Sequence, residues 1–117
     1  MSYRDEDRME LILELIGDLN RRLNGMSRER FLKDRDEIDL TAYRLSIIGE
    51  NCSKLAAEIR ERHSQIDWIG MYAMRNVIAH DYAGIDAKLV WDSLGEDLVA
   101  LGEACRAELG TPNDIES

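Results

Sequence analysis

The sequence predicts an all-α fold, an up-and-down four-helix bundle with an additional short helix. Of the 117 residues, 44% are hydrophobic, 33% are charged and one is proline. Apolar residues recur at steps of three and four along most of the chain, and the polar connections between these stretches are short, which favours antiparallel neighbours. A chain of this length forms one ordinary domain. We place this domain at residues 1–110, with residues 111–117 as a flexible tail.

The first predicted helix runs from Asp5 to Asn24. Asn24-Gly25 supplies its stop, because glycine readily adopts the left-handed conformation that ends helices. The segment from Ser27 to Asp34 predicts a short helix that turns Phe31 and Leu32 inward. The apolar stripe of the first helix lies at positions 9, 12, 13, 16, 19 and 23.

The next long helix begins near Asp36 or Asp39, either of which can act as the N-cap. We expect this helix to continue to about Arg62. Its narrow stripe is typical of a helix packed antiparallel in a bundle, and it consists of Ile38, Ala42, Leu45, Ile48, Cys52, Leu55 and Ile59.

Two further helices complete the prediction. Residues 63–67 form a loop, and Asp67 can cap a helix that begins at Trp68 and is broken by residues 82–85. Asp86 then caps a final helix that ends at residues 110–112, which read Gly-Thr-Pro. The core stripe of this last helix is Val90, Leu94, Leu98, Leu101 and Cys105.

The two cysteines and the hydropathy pattern indicate a soluble cytoplasmic protein. Cys52 and Cys105 lie far apart without a Cys-x-x-Cys pair, and the first residues do not resemble a signal peptide. No apolar stretch approaches the roughly 20 residues that span a bilayer. Because both cysteines fall on apolar stripes, they are most simply small core residues. The two histidines and two cysteines form no metal constellation, so no metal or other cofactor is expected.

The net charge of -9 argues against generic duplex binding, because phosphate binding usually shows as a basic patch. The charge is unevenly distributed. Residues 86–117 contain eight acidic and two basic residues, so this segment carries -6 and the remaining 85 residues carry -3. The arginine-rich first part can therefore still present a small site to RNA.

The cluster of Arg75, Asn76, His80 and Tyr82 is the strongest indication of function. Arginine offers a permanent cation matched to phosphate oxygens, and histidine can exchange a proton near neutral pH, so the pair suits phosphodiester chemistry without a metal. On an ideal helix Arg75 and His80 point about 140° apart. Either the helix unwinds near His80, or a second copy of the chain completes the site. We therefore predict a homodimer.

The segment from Met74 to Tyr82, MRNVIAHDY, resembles the signature of the HEPN superfamily. The tyrosine two residues beyond His80 is similar to that of its HepT-like ribonuclease toxin branch. Further similarity covers residues from about 10 to 105, at Leu45 to Asn51, Ile66 to Trp68, Gly84 to Asp86 and Val90-Trp91.

This resemblance implies a HEPN-like helical domain that dimerises through the motif helix and cuts RNA without a metal. Arg75 would bind the scissile phosphate, and His80 would act as general acid or base on the ribose 2′-hydroxyl or the leaving oxygen. Asn76 would orient His80 or the phosphate.

The resemblance also implies the toxin of a type VII-like toxin–antitoxin pair. Its partner would be an MntA-like antitoxin with a minimal nucleotidyltransferase fold, which transfers AMP onto the motif tyrosine, here Tyr82. Such an adenylyl group would place a bulky anion beside Arg75 and His80, and would therefore block the site and compete for its cation.

Other residues have two interpretations. Glu50 either faces the cleft and pairs with Arg75 or remains a solvated carboxylate. His63 is predicted to be a solvated loop residue rather than a second catalytic group. Trp68 and Trp91 are predicted to be packing anchors rather than platforms for bases.

The net charge of -9 and the lack of a basic stripe leave a second function open. The chain could be a non-catalytic helical module that holds a nucleotide in the same cleft, or that docks and regulates a nucleotidyltransferase. A purely structural dimerisation unit is the third interpretation.

Overall fold

A computed structural model describes residues 3–76 and 85–110 of the chain. These residues form helices without any strand, so the all-α prediction is confirmed over the described ranges; the four-helix bundle and the dimer remain predictions. The elements are α1 (Tyr3–Leu23), α2 (Arg28–Phe31), α3 (Arg35–Ser53), α4 (Ala57–Arg62), α5 (Trp68–Ala73), α6 (Ala87–Asp92) and α7 (Glu96–Leu109), with a 3-10 turn (Met74–Asn76) directly after α5.

Short polar side chains begin four of these helices. Ser27, Asp34, Asp67 and Asp86 each accept a hydrogen bond from a backbone N–H in the first turn of the helix that follows. The caps at 67 and 86 are those that the sequence predicts. The cap of α3 is different, because Asp34 takes the place expected for Asp36 or Asp39 and accepts from the backbone N–H of Glu37 at 3.1 Å.

The helix expected to run to about Arg62 is interrupted after Ser53. Residues 54–56 leave the helical path, although Leu55 within this break and Ile59 beyond it are both buried. No glycine or proline marks this break. Instead, the backbone N–H of Ala56 donates to the Asp5 side chain of α1 at 3.2 Å, which gives that amide a tertiary partner.

The last predicted helix is also divided into two. The Ser93 hydroxyl donates to the Leu89 carbonyl oxygen at 2.9 Å at the end of α6, and Gly95 occupies the N-cap of α7. A hydroxyl bonded to a carbonyl one turn earlier and a glycine both weaken helix continuation. Gly110, with φ of 62°, ends α7 in the left-handed conformation, as the sequence predicts.

The central helix is α3, because it contacts α1, α2, α5, α6 and the 3-10 turn, while α1 also packs against α7. The predicted stripes of α1, α3 and α7 contribute most of the core. Phe31 from α2 is fully buried, and its ring centroid lies 5.1 Å from that of Trp91. This contact joins α2 to α6.

None of the helices within the described residues is both long and apolar enough to cross a bilayer. Several predicted features lie outside the described residues. They are His80, Tyr82, residues 82–84 of the predicted helix break, and the predicted tail at residues 111–117.

Candidate functional site

Arg75 lies in the 3-10 turn that follows α5. The position of this turn depends on the start of α5, where the Asp67 side chain accepts from the backbone N–H of Gly70 at 3.0 Å. It also depends on α3, against which both α5 and the turn pack. Met71 and Met74 are buried on the side that faces the core, whereas Arg75 and Asn76 are exposed. The motif therefore begins on a surface that the core holds in place.

Gly49 allows the backbones of α3 and the 3-10 turn to approach closely. A Cβ atom at this position would lie 2.8 Å from both the Arg75 nitrogen and the Met71 carbonyl oxygen, and 3.2 Å from Cγ of Arg75. Backbone atoms cannot move aside as a flexible side chain can. The absence of a side chain at position 49 therefore sets how near Arg75 comes to α3.

The Arg75 guanidinium faces the end of α3. Its Nη1 lies 3.5 Å from Oε2 of Glu50 and donates to the Ser53 hydroxyl oxygen at 3.4 Å. Glu50 also pairs with Lys54, whose Nζ lies 3.1 Å from Oε1. Glu50 therefore pairs with Arg75, as one of its two interpretations expects, and its side chain is also 46% exposed, as the other expects.

The Glu50 carboxylate is ionised at neutral pH. The hydrogen bond from Lys54 lowers the pKa of Glu50, and the positive charges of Lys54 and Arg75 act in the same direction. The side chains of Arg75 and Glu50 are 45% and 46% exposed. Solvent therefore screens their attraction, and an incoming anion can reach the guanidinium.

The 3-10 geometry changes the argument about the Arg75 to His80 spacing. An angle of about 140° assumes an unbroken α-helix, but Met74–Asn76 already departs from that geometry. The regular helix α5 therefore ends at Ala73, directly before the motif begins at Met74. His80 and Tyr82 lie outside the described residues, so their arrangement around Arg75 stays a prediction.

The expectation that His63 is a solvated loop residue is wrong. Its side chain is 15% exposed, and Nε2 lies 2.7 Å from Oε2 of Glu108 on α7. Arg62 donates two hydrogen bonds to the same carboxylate, at 2.6 Å and 3.1 Å. These contacts lower the pKa of Glu108 to about 2, with the Arg62 hydrogen bond as the main cause. The cluster joins the end of α4 to α7 and is structural.

The two tryptophans and the two cysteines belong to the packing, as predicted. Trp91 contacts Phe31, and Nε1 of Trp68 donates to the carbonyl oxygen of His63 at 3.0 Å. Burial raises the pKa of both cysteine thiols, that of Cys105 to about 12, so both remain protonated. Within residues 3–76 and 85–110, no group of three or more His, Cys, Asp or Glu side chains is arranged to hold a metal ion.

Two surface depressions lie away from the Arg75 guanidinium. One of about 650 Å³ lies between α1 and the junction of α6 and α7. Another of about 440 Å³ borders Met71 and Met74, but its rim includes Asp92, Glu96 and Asp97. Three carboxylates repel phosphate, so this side of the motif is poorly suited to RNA. The Glu50 side of Arg75 is the better candidate.

Sequence reasoning missed three residues around Arg75: Gly49, Ser53 and Lys54. Helical spacing could have found Lys54, because a glutamate and a lysine four residues apart share one face of a helix. The Ser53 and Gly49 contacts depend on how α3 packs against the motif turn. Periodicity within a single helix does not encode that packing.

Comparisons with known proteins identify the family to which the chain is similar. The family model described as Ribonuclease HepT-like matches residues 12–108. The chain is 32% identical over 93 residues to a protein of Caldanaerobacter subterraneus named "Putative RNase TTE0752", covering 80% of this chain and 83% of that protein. It is 29% identical over 101 residues to "Probable ribonuclease HepT" of Thermococcus cleftensis, covering 86% and 92%. No solved structure matches the chain.

Proposed function

Because the chain belongs to the HepT-like ribonuclease family, we propose that it is a metal-independent endoribonuclease whose catalytic residues are Arg75 and His80. The observation that carries this proposal is the accessible Arg75 guanidinium, held 3.5 Å from Glu50 where the motif begins. An arginine that is held by a neighbouring carboxylate but is exposed to solvent can bind a phosphate without a prior conformational change.

The proposed chemistry involves Arg75, His80, Asn76 and Glu50. Arg75 neutralises the charge that develops on the phosphate oxygens as the ribose 2′-oxygen attacks phosphorus and the 5′-oxygen leaves. His80 transfers the proton, as base towards the 2′-hydroxyl or as acid towards the leaving oxygen. Asn76 orients His80 or the phosphate, and Glu50 supports the Arg75 side chain in the absence of RNA.

The assembly belongs to the same proposal. Residues 1–110 would form a single domain, an up-and-down four-helix bundle, and residues 111–117 would form a tail. This domain would dimerise through the motif helix. Two motifs would then face one cleft, so that each copy completes the site of the other. Sedimentation of the purified protein tests this assembly, and a monomer that retains cleavage would contradict it.

Cleavage of RNA in the presence of a chelator tests the catalytic proposal. Arg75→Ala and His80→Ala are expected to abolish cleavage, while Arg21→Ala is expected to retain it. Arg21 is a suitable control because it is an exposed arginine on α1 that pairs with Asp18. If the wild type and both motif variants behave alike, the proposed catalysis is wrong.

We also propose that the chain is the toxin of a type VII-like toxin–antitoxin pair, neutralised by an MntA-like nucleotidyltransferase that adenylylates Tyr82. The intact mass of the protein co-produced with its neighbour tests this step. A shift by whole adenylyl units that disappears in Tyr82→Phe supports the assignment. An unshifted mass contradicts adenylylation, although the antitoxin could then still act by blocking the site.

The net charge of -9 and the lack of a basic stripe in the sequence motivate one alternative. In this alternative the chain is a non-catalytic module that binds a nucleotide or docks a nucleotidyltransferase. Nucleotide binding that is lost in Arg75→Ala, together with the absence of RNA cleavage by the wild type, would support it over the enzyme.

A further inference from the structure

Lys54 shares its carboxylate partner with Arg75. Lys54 is the C-cap residue of α3, and its ammonium lies 3.1 Å from one oxygen of Glu50 while the Arg75 guanidinium lies 3.5 Å from the other. The two cations come from different segments of the chain and meet at a single anion. Lys54 is 52% exposed, so this second cation is as accessible as the first.

The ends of two helices also meet here. The last carbonyl groups of α3 and α5 carry partial negative charge, which attracts cations and repels free anions. A phosphate that approaches this corner therefore needs more positive charge than one arginine supplies. The two cations Lys54 and Arg75, which both contact the Glu50 carboxylate, provide this additional positive charge.

We infer that Lys54 and Arg75 together bind one backbone phosphate of a single-stranded RNA, at the position that the Glu50 carboxylate occupies in the free protein. The identity of this ligand rests on the proposed function. Carboxylate and phosphate both present paired oxygens to a guanidinium fork, so one can replace the other with little change in the arginine.

Ser53 keeps Arg75 in place when Glu50 moves away. The Ser53 hydroxyl donates to the carbonyl oxygen of Glu50 at 2.7 Å, and its oxygen accepts from Arg75. Arg75 therefore retains one partner on α3. Glu50 is 46% exposed, so its displaced carboxylate returns to water rather than to a buried site.

Binding of a short, 2′-O-methylated single-stranded RNA tests the inference, because this probe lacks the hydroxyl needed for cleavage. Fluorescence anisotropy over a series of salt concentrations gives the slope of log K against log salt. Lys54→Gln is expected to reduce the magnitude of that slope by about 0.7 and to weaken binding about fivefold at about 0.1 M salt. Lys54→Arg is expected to bind like the wild type.

Lys33 offers a matched control. It forms the same type of pair four residues from its glutamate, Glu29, at 3.6 Å, and it is 77% exposed. Lys33→Gln changes the net charge by the same amount, so any general effect of charge appears equally in both variants. The slope for Lys33→Gln is expected to remain that of the wild type.

Glu50→Gln is expected to change the RNA affinity in the direction opposite to Lys54→Gln. Glutamine retains an oxygen that can accept from Arg75 but no longer competes with phosphate as an anion, so the RNA is expected to bind more tightly. Weaker or unchanged binding would overturn the inference, as would a Lys54→Gln slope equal to that of Lys33→Gln. A wild type that does not bind the probe would also overturn it.

The cleavage assay separates this inference from the proposed function. If the wild type cleaves unmodified RNA in chelator but Lys54→Gln binds the probe like the wild type, the inference fails and the proposed function stands. If binding depends on Lys54 but no RNA is cleaved, the phosphate site stands and the proposed ribonuclease fails.

Discussion

The substitution Gly49→Ala tests whether close packing of α3 against the motif turn positions Arg75. The added methyl carbon would lie 2.8 Å from two backbone atoms, Arg75 N and Met71 O. This distance is about 0.6 Å shorter than 3.4 Å, the distance at which ordinary van der Waals contact begins. The motif turn must therefore move away from α3, and Arg75 must move with it.

The expected loss of stability follows from two opposing effects. Forcing a methyl group into a packed contact costs about 1–3 kcal/mol. Replacing glycine by alanine within a helix contributes about 0.5–1 kcal/mol in the opposite direction. Taking the middle of each range, the free energy of unfolding should therefore fall by about 1 kcal/mol in Gly49→Ala.

Gly17 provides the matched control, because it also lies inside a long helix but a Cβ atom added there would meet nothing within 4 Å. Gly17→Ala should raise the free energy of unfolding by about 0.5–1 kcal/mol. Urea unfolding of both variants then gives changes of opposite sign. RNA cleavage by Gly49→Ala should fall roughly tenfold or more, since small displacements of a catalytic group have large effects on rate.

Two results would refute this reasoning. Gly49→Ala could be as stable as Gly17→Ala, which would mean that the motif turn moves away from α3 without a loss of stability. Alternatively, Gly49→Ala could lose stability but cleave RNA at the wild-type rate, which would mean that the position of Arg75 does not limit the reaction.

Two further predictions concern the scaffold. The pKa of Glu108 falls from 4.5 to about 2 in the folded protein, so its ionised form stabilises the fold above about pH 4.5 and this contribution is lost as the pH falls towards 2. The difference in urea midpoint between wild type and Glu108→Gln should narrow over that range, and a pH-independent difference would contradict the assignment. Phe31→Ala should lower the free energy of unfolding by about 3–5 kcal/mol, because Phe31 is fully buried against Trp91. Urea unfolding measures this loss, and Tyr43→Ala, at an exposed aromatic residue, is the control. Equal losses of stability in the two variants would contradict the core position of Phe31.

The helices and their starts are largely predictable because their signals are local. Apolar spacing identifies the buried faces of α1, α3 and α7, and the caps Asp67 and Asp86 follow directly from the short-range hydrogen bonds of their side chains. The breaks are less predictable. Leu55 and Ile59 continue the stripe across the end of α3, so periodicity alone indicates a continuous helix.

The candidate site is predictable in part for the same reason. Residue type and the resemblance of the motif identify Arg75, and the polar position of Glu50 on its helix makes it a possible partner. The contribution of Gly49 depends on the distance between two helices, which no single stretch of sequence specifies. The expectation for His63 is wrong because its partner, Glu108, lies 45 residues further along the chain.

The bond between Asp5 and Ala56 links the end of the site helix to the beginning of the chain. The two residues are 51 positions apart, and docking of the first turn of α1 gives the Ala56 amide its side-chain partner. Helix α3 can form locally and early, but its proper ending requires closure of a long loop, which is slower. Hydrogen exchange at the Ala56 amide therefore reports on whether the segment that carries Lys54 has reached its final geometry.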